Sequence, residues 1–248
     1  MYRRAALIAF SALLVCPVQA QPQTPPRAED HLEPDGSILG GTSFMVDYDL
    51  QVRDILKEAL NPKVRVHMVA LPSFSPEFAV GLMTMAQEGV RPPYHILALT
   101  PVAQIWTYNS VDMLKSGRIQ VVRGNKNKEI ARLESSVPKN PKDLKIKRCE
   151  IGIGDTLATR IMEVWRKMLL KTRCSARPWG GADGERYYFG MWSWEGPLAG
   201  TVWSPEQNSS TGNLVELAYT MRAVCEKKNG ANESQLEKLT AELEHRLQ

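Results

Sequence analysis

Apolar residues recur along the chain with two spacings, one typical of helices and one typical of strands. The helical spacing of three and four residues forms two long, one-sided stripes, at 155–171 and at 211–230. A shorter helix is predicted at 49–60, where Asn61-Pro62 ends it. Because each long stripe lies on a single side of its helix, we expect both helices to pack on one face of a sheet.

Alternation with a period of two predicts strands of that sheet at 64–71 and 148–153, and residues 94–100 are another strand candidate. A further short strand is predicted at 104–108. Between the first two strands, Ser75 and Pro76 favour a short helix, because serine caps a helix well and proline suits its first position.

The most aromatic segment, 184–205, predicts a β-hairpin at the centre of the sheet. Residues 186–194 and 198–203 are rich in aromatic and β-branched side chains, which favour strands. Gly196-Pro197 between them is typical of a turn. We expect the two long helices to brace this hairpin.

Four residues of the hairpin are the candidate partner-binding residues. Trp192 and Trp194 are two positions apart, so in a strand they share one face. That face is either part of the core, the interpretation that we favour, or a platform for a partner, where tryptophan is enriched. Glu195 at the turn and Trp203 on the second strand complete the set.

These elements predict an α+β fold with an antiparallel sheet of about five to seven strands, two main amphipathic helices on one face and a C-terminal helix. Helices and strands do not alternate as they do in parallel α/β proteins. Residues 42–230 form a single domain of ordinary size. Residues 231–248 form the C-terminal helix, whose leucines are nearly at heptad spacing. This helix either docks on the domain, which we expect to be a loose attachment, or pairs in a dimer.

Residues 1–20 have the pattern of an export signal: two arginines, a short apolar run and small residues before a cleavage site. We predict cleavage after Ala20 and localisation in the periplasm or outside the cell. A lipoprotein signal ending at Cys16 is the alternative, although Val15 is larger than the residue usually found there. The apolar run is shorter than the ~20 residues that span a bilayer, and no later segment predicts a transmembrane helix.

A proline-rich segment, 21–41, follows the signal and predicts a disordered leader, because it has too few apolar residues to offset its ordering entropy. His31 in this leader is expected to be solvated. Charge then changes along the chain. Residues 27–60 hold eight acids and three bases, whereas residues 115–148 hold eleven bases and three acids.

The basic segment predicts either a solvated hairpin through Gly124-Asn125, which we favour, or a surface for an anionic envelope component or an acidic protein. Nucleic acid is not an expected partner. The formal net charge of the whole chain is only +4, and no nucleic-acid recognition signature occurs in it.

Three cysteines remain after removal of the signal, Cys149, Cys174 and Cys225. In an oxidising compartment two of them are expected to form a disulfide, and the sequence leaves all three pairings open. None of the three has a nearby histidine in the sequence that would activate it as a nucleophile.

No motif predicts a metal site or a cofactor. His67 and His95 fall in strands that could be neighbours, but no carboxylate cluster at ligand spacing accompanies them. Gly152-Ile153-Gly154 before a helix is interpreted as a tight turn, because Asp155 would repel a phosphate. Glu195 is the one acid in an apolar setting that favours a raised pKa, and a glycosidase would need a second carboxylate.

The C-terminal third resembles a pattern in uncharacterised exported proteins of proteobacteria. The residues that carry it are Asp183-Gly184, Tyr187, Phe189, Leu198-Ala199-Gly200-Thr201, Trp203-Ser204-Pro205, Gly212, Leu214-Val215, Leu217, Met221-Arg222 and Cys225. No activity is known for that group. The resemblance therefore implies an exported protein and assigns no catalytic or binding residue.

The leading functional prediction is a non-enzymatic periplasmic binding protein, such as an inhibitor or immunity-type partner of a secreted toxin or envelope enzyme. Two alternatives stay open. One is a cell-wall or glycan hydrolase that uses Glu195 or the pair His67 and His95. The other is a structural component of an envelope assembly that dimerises through residues 231–248.

Overall fold

A computed structural model describes residues 30–34, 43–85, 94–121, 124–174, 184–194, 196–228 and 230–248 of the 248-residue chain. The predicted signal peptide, most of the predicted leader and the candidate residue Glu195 lie outside the described residues. Among the residues that are described, no helix is both long and apolar enough to cross a membrane.

Six antiparallel strands form one sheet in the order β4-β3-β2-β1-β5-β6. They are β1 Val64–Pro72, β2 Phe78–Thr84, β3 Tyr94–Pro101, β4 Ile146–Ile153, β5 Glu185–Ser193 and β6 Gly196–Trp203. The predicted α+β fold with an antiparallel sheet is confirmed. The aromatic hairpin is also confirmed as β5 and β6, but it lies at one side of the sheet, since β6 follows β5 at the end of the strand order.

One face of the sheet is covered by α4 Asp155–Leu170 and α5 Ser210–Cys225, the two long amphipathic helices. Trp165 of α4 is fully buried, and its ring meets Phe189 of β5 edge to face with the centroids 5.5 Å apart. The start of α5 requires glycine at Gly212, because a Cβ there would lie 2.0 Å from the carbonyl oxygen of Glu206. The predicted placement of both helices on one face is therefore observed.

The C-terminal helix, α6 Glu233–Arg246, docks on α4 and α5. Leu236 and Leu243 are fully buried, and the guanidinium of Arg160 on α4 donates to both carboxylate oxygens of Glu244 at 2.9 and 2.7 Å. Of the two predicted alternatives, docking is the one observed. The apolar side chains of α6 that a dimer interface would need are largely buried against α4 and α5 of the same chain.

The second face is covered by α1 Ser43–Ile55, a short 3-10 helix at Lys57–Leu60 and α2 Trp106–Ser116. The predicted strand at 104–108 is wrong, because α2 begins there. Its first N–H groups, on Ile105 and Trp106, donate to the buried carboxylate of Glu77 at 2.7 and 2.9 Å. The short helix predicted from Ser75 and Pro76 is also wrong, since these residues lead directly into β2.

The basic segment does not form the predicted hairpin through Gly124-Asn125. It forms α3 Lys126–Ser135 instead, and the side chain of Asn125 caps that helix by accepting from the backbone N–H groups of Asn127 and Lys128. Two of its basic residues pair with acids of the same region: Lys115 lies 2.6 Å from Glu134, and Arg132 lies 2.6 Å from Glu129.

Part of the predicted leader belongs to the fold. Glu33 exchanges two backbone hydrogen bonds with Thr201 of β6, at 2.8 and 2.7 Å. The carboxylate of Asp30 accepts from the Ser210 hydroxyl and the Thr211 N–H at the start of α5. His31, which we expected to be solvated, is 5% exposed, and Leu32 is fully buried.

A disulfide joins Cys149 of β4 to Cys225 of α5, with their Cα atoms 5.9 Å apart. It ties the edge strand of the sheet to the helix that packs on it. The pairing that the sequence left open is therefore settled for these two cysteines, and Cys174, at the end of the segment after α4, is not part of this bond.

Candidate functional site

A cavity of about 210 Å³ lies between α1 and the aromatic hairpin, on the second face of the sheet. We call it the hairpin pocket. Its walls are mainly apolar side chains, contributed by α1, the 3-10 helix, β1, β5 and β6. Its polar side chains are Asp49, Arg53, His67, Tyr188 and Trp192. A largely apolar cavity with a few polar groups is the usual form of a ligand-binding site.

The floor of the hairpin pocket is a histidine seated on a glycine. His67 of β1 pairs with Gly190 of β5, and a Cβ on Gly190 would lie 2.3 Å from Nε2 of His67 and 2.4 Å from Cε1. The imidazole ring therefore lies directly over the glycine backbone. No other residue would leave room for the ring at that position.

Two ring nitrogens of this site are buried and find no hydrogen-bond partner among the described residues, Nδ1 of His67 and Nε1 of Trp192. A buried polar atom without a partner costs about 1–3 kcal/mol and is uncommon in a folded protein. Burial and the positive charge of Arg53 lower the pKa of His67 to about 4. The imidazole is therefore neutral at physiological pH.

Asp49 and Tyr188 form the upper wall of the hairpin pocket, and a buried ion pair joins Asp49 to Arg186 behind it. Nη2 of Arg186 lies 2.5 Å from Oδ1 of Asp49, and the Tyr188 hydroxyl donates to Oδ2 of Asp49 at 2.9 Å. The guanidiniums of Arg186 and Arg53 lie 4.9 and 5.9 Å from the centroid of the Tyr188 ring, within range for cation–π attraction. The wall thus holds α1 against β5 and presents an aromatic ring to the cavity.

The two adjacent tryptophans of the hairpin differ in environment. Trp192 is partly buried in the wall of the hairpin pocket, whereas Trp194 in the β5–β6 turn is 90% exposed. Leu50 is 60% exposed and lies one turn before Arg53 on α1. Neither the core interpretation nor the platform interpretation of the tryptophan pair fits both residues, because only Trp192 belongs to the strand.

Trp203 lies at the other end of the hairpin from Trp192. It pairs with Arg186, and its ring occupies the space beside Gly184, where a Cβ would lie 2.5 Å from the indole. At ~3.4 Å per residue along the strand, six positions separate the two tryptophans by about 20 Å. Trp203 therefore lies outside the lining of the hairpin pocket, and Glu195 is outside the described residues.

His67 and His95 are not neighbours, because β2 lies between β1 and β3. His95 instead lies 2.8 Å from Glu150 of β4, where Arg148, helped by His95, holds the pKa of Glu150 below its usual range. Within the described part of the chain, no group of three or more His, Cys, Asp or Glu side chains could hold a metal ion.

Sequence reasoning found His67 and Trp192 but not the site that they share. Asp49, Arg53 and Tyr188 were read only as parts of a helix or a strand. One signal was available: Gly190 interrupts an aromatic strand, and an isolated glycine in a strand indicates close approach of another group. What approaches it could not be known without the register of β1 against β5.

We expect the stability of the protein to fall by about 3 kcal/mol as the pH decreases from 6.5 to 4, because of His67. The unfolded chain binds a proton on this residue near pH 6.5, whereas the folded protein does so only near pH 4. Between these values the unfolded state therefore binds more protons and is favoured. Urea unfolding at several pH values measures the effect.

The matched variants for this experiment are His67→Gln and His245→Gln, since His245 is exposed on α6. The first variant should flatten the dependence between pH 6.5 and 4.5, and the second should leave it unchanged. An unchanged slope in His67→Gln would show that the histidine is not buried in its neutral form.

Comparison of the chain with protein-family models, with curated proteins and with solved structures finds no match in any of the three. The fold and the site themselves define a class: an α+β protein with helices on both faces of its sheet, and with a mainly apolar cavity between one of these helices and a hairpin that ends in an exposed tryptophan.

Proposed function

We propose that the protein is an exported, non-enzymatic binding protein that takes an apolar group of its ligand or partner into the hairpin pocket. The observation that carries this proposal is the cavity itself, about 210 Å³ with mainly apolar walls. The indole of Trp194, 90% exposed in the adjoining turn, adds a side chain of the kind that dominates binding hot spots.

The polar groups of the hairpin pocket support binding more than catalysis. Asp49 is engaged by Arg186 and Tyr188, so its carboxylate is held as a structural partner. His67 is neutral, and within the described part of the chain no carboxylate or other group bonds to its Nδ1 to orient it as a general base. The disulfide between Cys149 and Cys225 supports the predicted export, because such bonds persist in oxidising compartments.

The narrower role predicted from the sequence, an inhibitor or immunity-type partner of a toxin or envelope enzyme, stays a prediction within this proposal. It requires a protein surface that meets the hairpin. Trp194 and Leu50 are the exposed apolar side chains that such a surface would contact first.

Binding of indole, a neutral aromatic probe, tests the proposal. A ligand that binds only the folded state stabilises it, by about 1.4 kcal/mol at ten times its dissociation constant. We therefore expect indole to raise the midpoint of thermal unfolding. Ala199→Trp, on the exposed strand β6 at the edge of the hairpin pocket, should fill the cavity and remove the shift.

Lys147→Trp is the matched control, because it places the same side chain at an exposed position of the opposite edge strand, β4. It should retain the shift caused by indole. The proposal fails if indole produces no shift in the wild-type protein, or if Ala199→Trp and Lys147→Trp respond to it equally.

A further inference from the structure

We infer that the hairpin pocket binds a ligand with one aromatic ring and a carboxylate, the ring inside the cavity and the carboxylate at its mouth beside Arg53. This inference rests on the proposed function and names the chemistry that the same site takes. It is carried by the size of the cavity, by the shape of its walls and by the charges around it.

The size of the hairpin pocket selects a small group. Its volume of about 210 Å³ is below the ~300–1,000 Å³ of pockets for drug-sized molecules. It exceeds the ~150 Å³ of an apolar cavity known to hold benzene. The cavity therefore accommodates one ring with a short substituent, and not an extended lipid chain or a fused polycyclic molecule.

The walls of the hairpin pocket favour a flat group. The imidazole of His67 lies against the backbone of Gly190, and the rings of Trp192 and Tyr188 line the same cavity. Aromatic rings pair in offset-stacked and edge-to-face arrangements with a gain beyond the area that they bury. A planar ring meets three such surfaces here, whereas a branched aliphatic group would meet only the aliphatic part of the wall.

Two arginines and one aspartate, Arg53, Arg186 and Asp49, lie at the wall of the hairpin pocket, so these three side chains together carry a net positive charge. The carboxylate of Asp49 is balanced by Arg186 at 2.5 Å, and the exposed Asp54 on α1 lies 3.6 Å from Lys57. Arg53 lines the cavity and adds a positive charge. Its effect already reaches the floor, where it helps to lower the pKa of His67.

Arginine suits a carboxylate in geometry as well as in charge. Its guanidinium carries five N–H donors in a planar fork and can donate two parallel bonds to a carboxylate while keeping other contacts. Arg53 is partly buried, so such bonds form where solvent screening is reduced. A ligand whose ring fills the cavity places a carboxylate on a short linker within reach of this side chain.

Calorimetric titration with matched ligands tests the inference. The probes are 3-phenylpropanoate, its amide 3-phenylpropanamide, and propanoate, which lacks the ring. We expect the ring-bearing acid to bind about tenfold more tightly than the amide, and propanoate not to bind. Arg53→Gln should remove the preference for the acid and leave the affinity for the amide unchanged.

Arg118→Gln is the control, since Arg118 is exposed beyond the end of α2 and outside the hairpin pocket. It should keep the tenfold preference. Thermal unfolding of both variants, with midpoints close to that of the wild type, would show that Arg53→Gln acts through binding and not through folding.

The same chemistry is found in a free aromatic acid and in the C-terminal residue of a peptide, and a second pair of probes distinguishes them. Tighter binding of N-acetylphenylalanine than of 3-phenylpropanoate would assign the site to a chain end, and the reverse order to a small acid. Either order supports the carboxylate inference, provided that N-acetylphenylalanine amide binds more weakly than the acid.

Equal binding of acid and amide, or a preference that survives Arg53→Gln, overturns the inference and leaves the proposed function intact, because the ring still enters the cavity. Absence of binding by acid, amide and indole alike overturns both.

Discussion

Replacement of Glu77 by alanine is expected to lower the free energy of unfolding by about 4 kcal/mol. Glu77 is fully buried, and its carboxylate accepts from the Tyr48 hydroxyl at 2.5 Å and from the N–H groups of Ile105 and Trp106 at 2.7 and 2.9 Å. Each buried donor that loses its partner costs about 1–3 kcal/mol. Urea unfolding of the variant and the wild-type protein measures the difference.

The effect is large because three elements depend on this one side chain. Glu77 precedes β2, Tyr48 lies on α1, and the two N–H groups open α2, where a negative charge also complements the helix dipole. Burial and the negative charge of Glu77 raise the pKa of Tyr48, so its hydroxyl remains a donor. Hydrogen exchange should show the loss of protection first in α2, whose N-terminus is released.

Two further variants separate the carboxylate from the volume that it fills. Glu77→Gln keeps one acceptor oxygen but turns an NH₂ group toward one set of donors, so we expect an intermediate loss of about 2 kcal/mol. Asp112→Ala removes an exposed acid of α2 and should change stability by less than about 0.5 kcal/mol. A loss below about 1 kcal/mol for Glu77→Ala would show that α2 does not depend on this cap.

Glu77 also explains why the sequence predicted this region wrongly. The N-terminus of α2 has no side-chain cap of its own, and its N–H groups are satisfied by a residue 28 positions earlier. Sequence signals for a helix start come from residues next to the helix. Because the cap of α2 comes from Glu77, residues 104–108 contain no such signal, and the segment was predicted as a strand. In the same way, Ser75 and Pro76 carry the local signature of a helix start but connect two strands of the sheet.

The sequence was sufficient to predict those elements whose stabilising interactions are local or periodic. The strand at 64–71 and the helices α4 and α5 follow from apolar spacing, the hairpin follows from its aromatic and β-branched residues, and the structure has all of them. The basic segment is the contrasting case. Its helix is capped by Asn125, a residue that fits a turn equally well, and α3 buries no side chain whose spacing could have revealed it.

The hairpin pocket depends on strand register, which the sequence did not specify. Its floor exists because His67 pairs with Gly190, and its upper wall exists because Asp49 meets Arg186 137 residues later. The sequence offered His95 as the neighbour of His67. A separate strand, β2, inserts between them, and it was the one strand of the sheet that the sequence did not predict.

The second large effect is expected at the ion pair between Asp49, in the upper wall of the hairpin pocket, and Arg186 behind it. Asp49→Ala should lower the free energy of unfolding by about 3–5 kcal/mol, since it leaves the buried guanidinium of Arg186 without its carboxylate. Asp49 and Arg186 are only 5% and 7% exposed, so the lost partner is poorly compensated by bulk solvent. The Tyr188 hydroxyl also loses its acceptor.

A double-mutant cycle measures the interaction free energy between Asp49 and Arg186, and so tests whether the ion pair contributes to the stability of the protein. Replacing both members of a buried ion pair by apolar residues is often neutral or even stabilising, because the cost of desolvating two charges disappears. We therefore expect Asp49→Leu combined with Arg186→Met to be more stable than Asp49→Ala, despite its two substitutions. Additive losses in the cycle would contradict the burial of this pair.

The double variant also links stability to binding. In the double variant, apolar residues replace Asp49 and Arg186, and Arg53 remains at the mouth of the hairpin pocket. Neither replaced position then carries a charge that could contribute to binding. Binding of 3-phenylpropanoate should then persist in the double variant if Arg53 provides the contact, whereas a carboxylate held by Arg186 would lose its affinity. Since Arg186 lies behind Asp49 in the wall and outside the cavity lining, we expect the binding to persist.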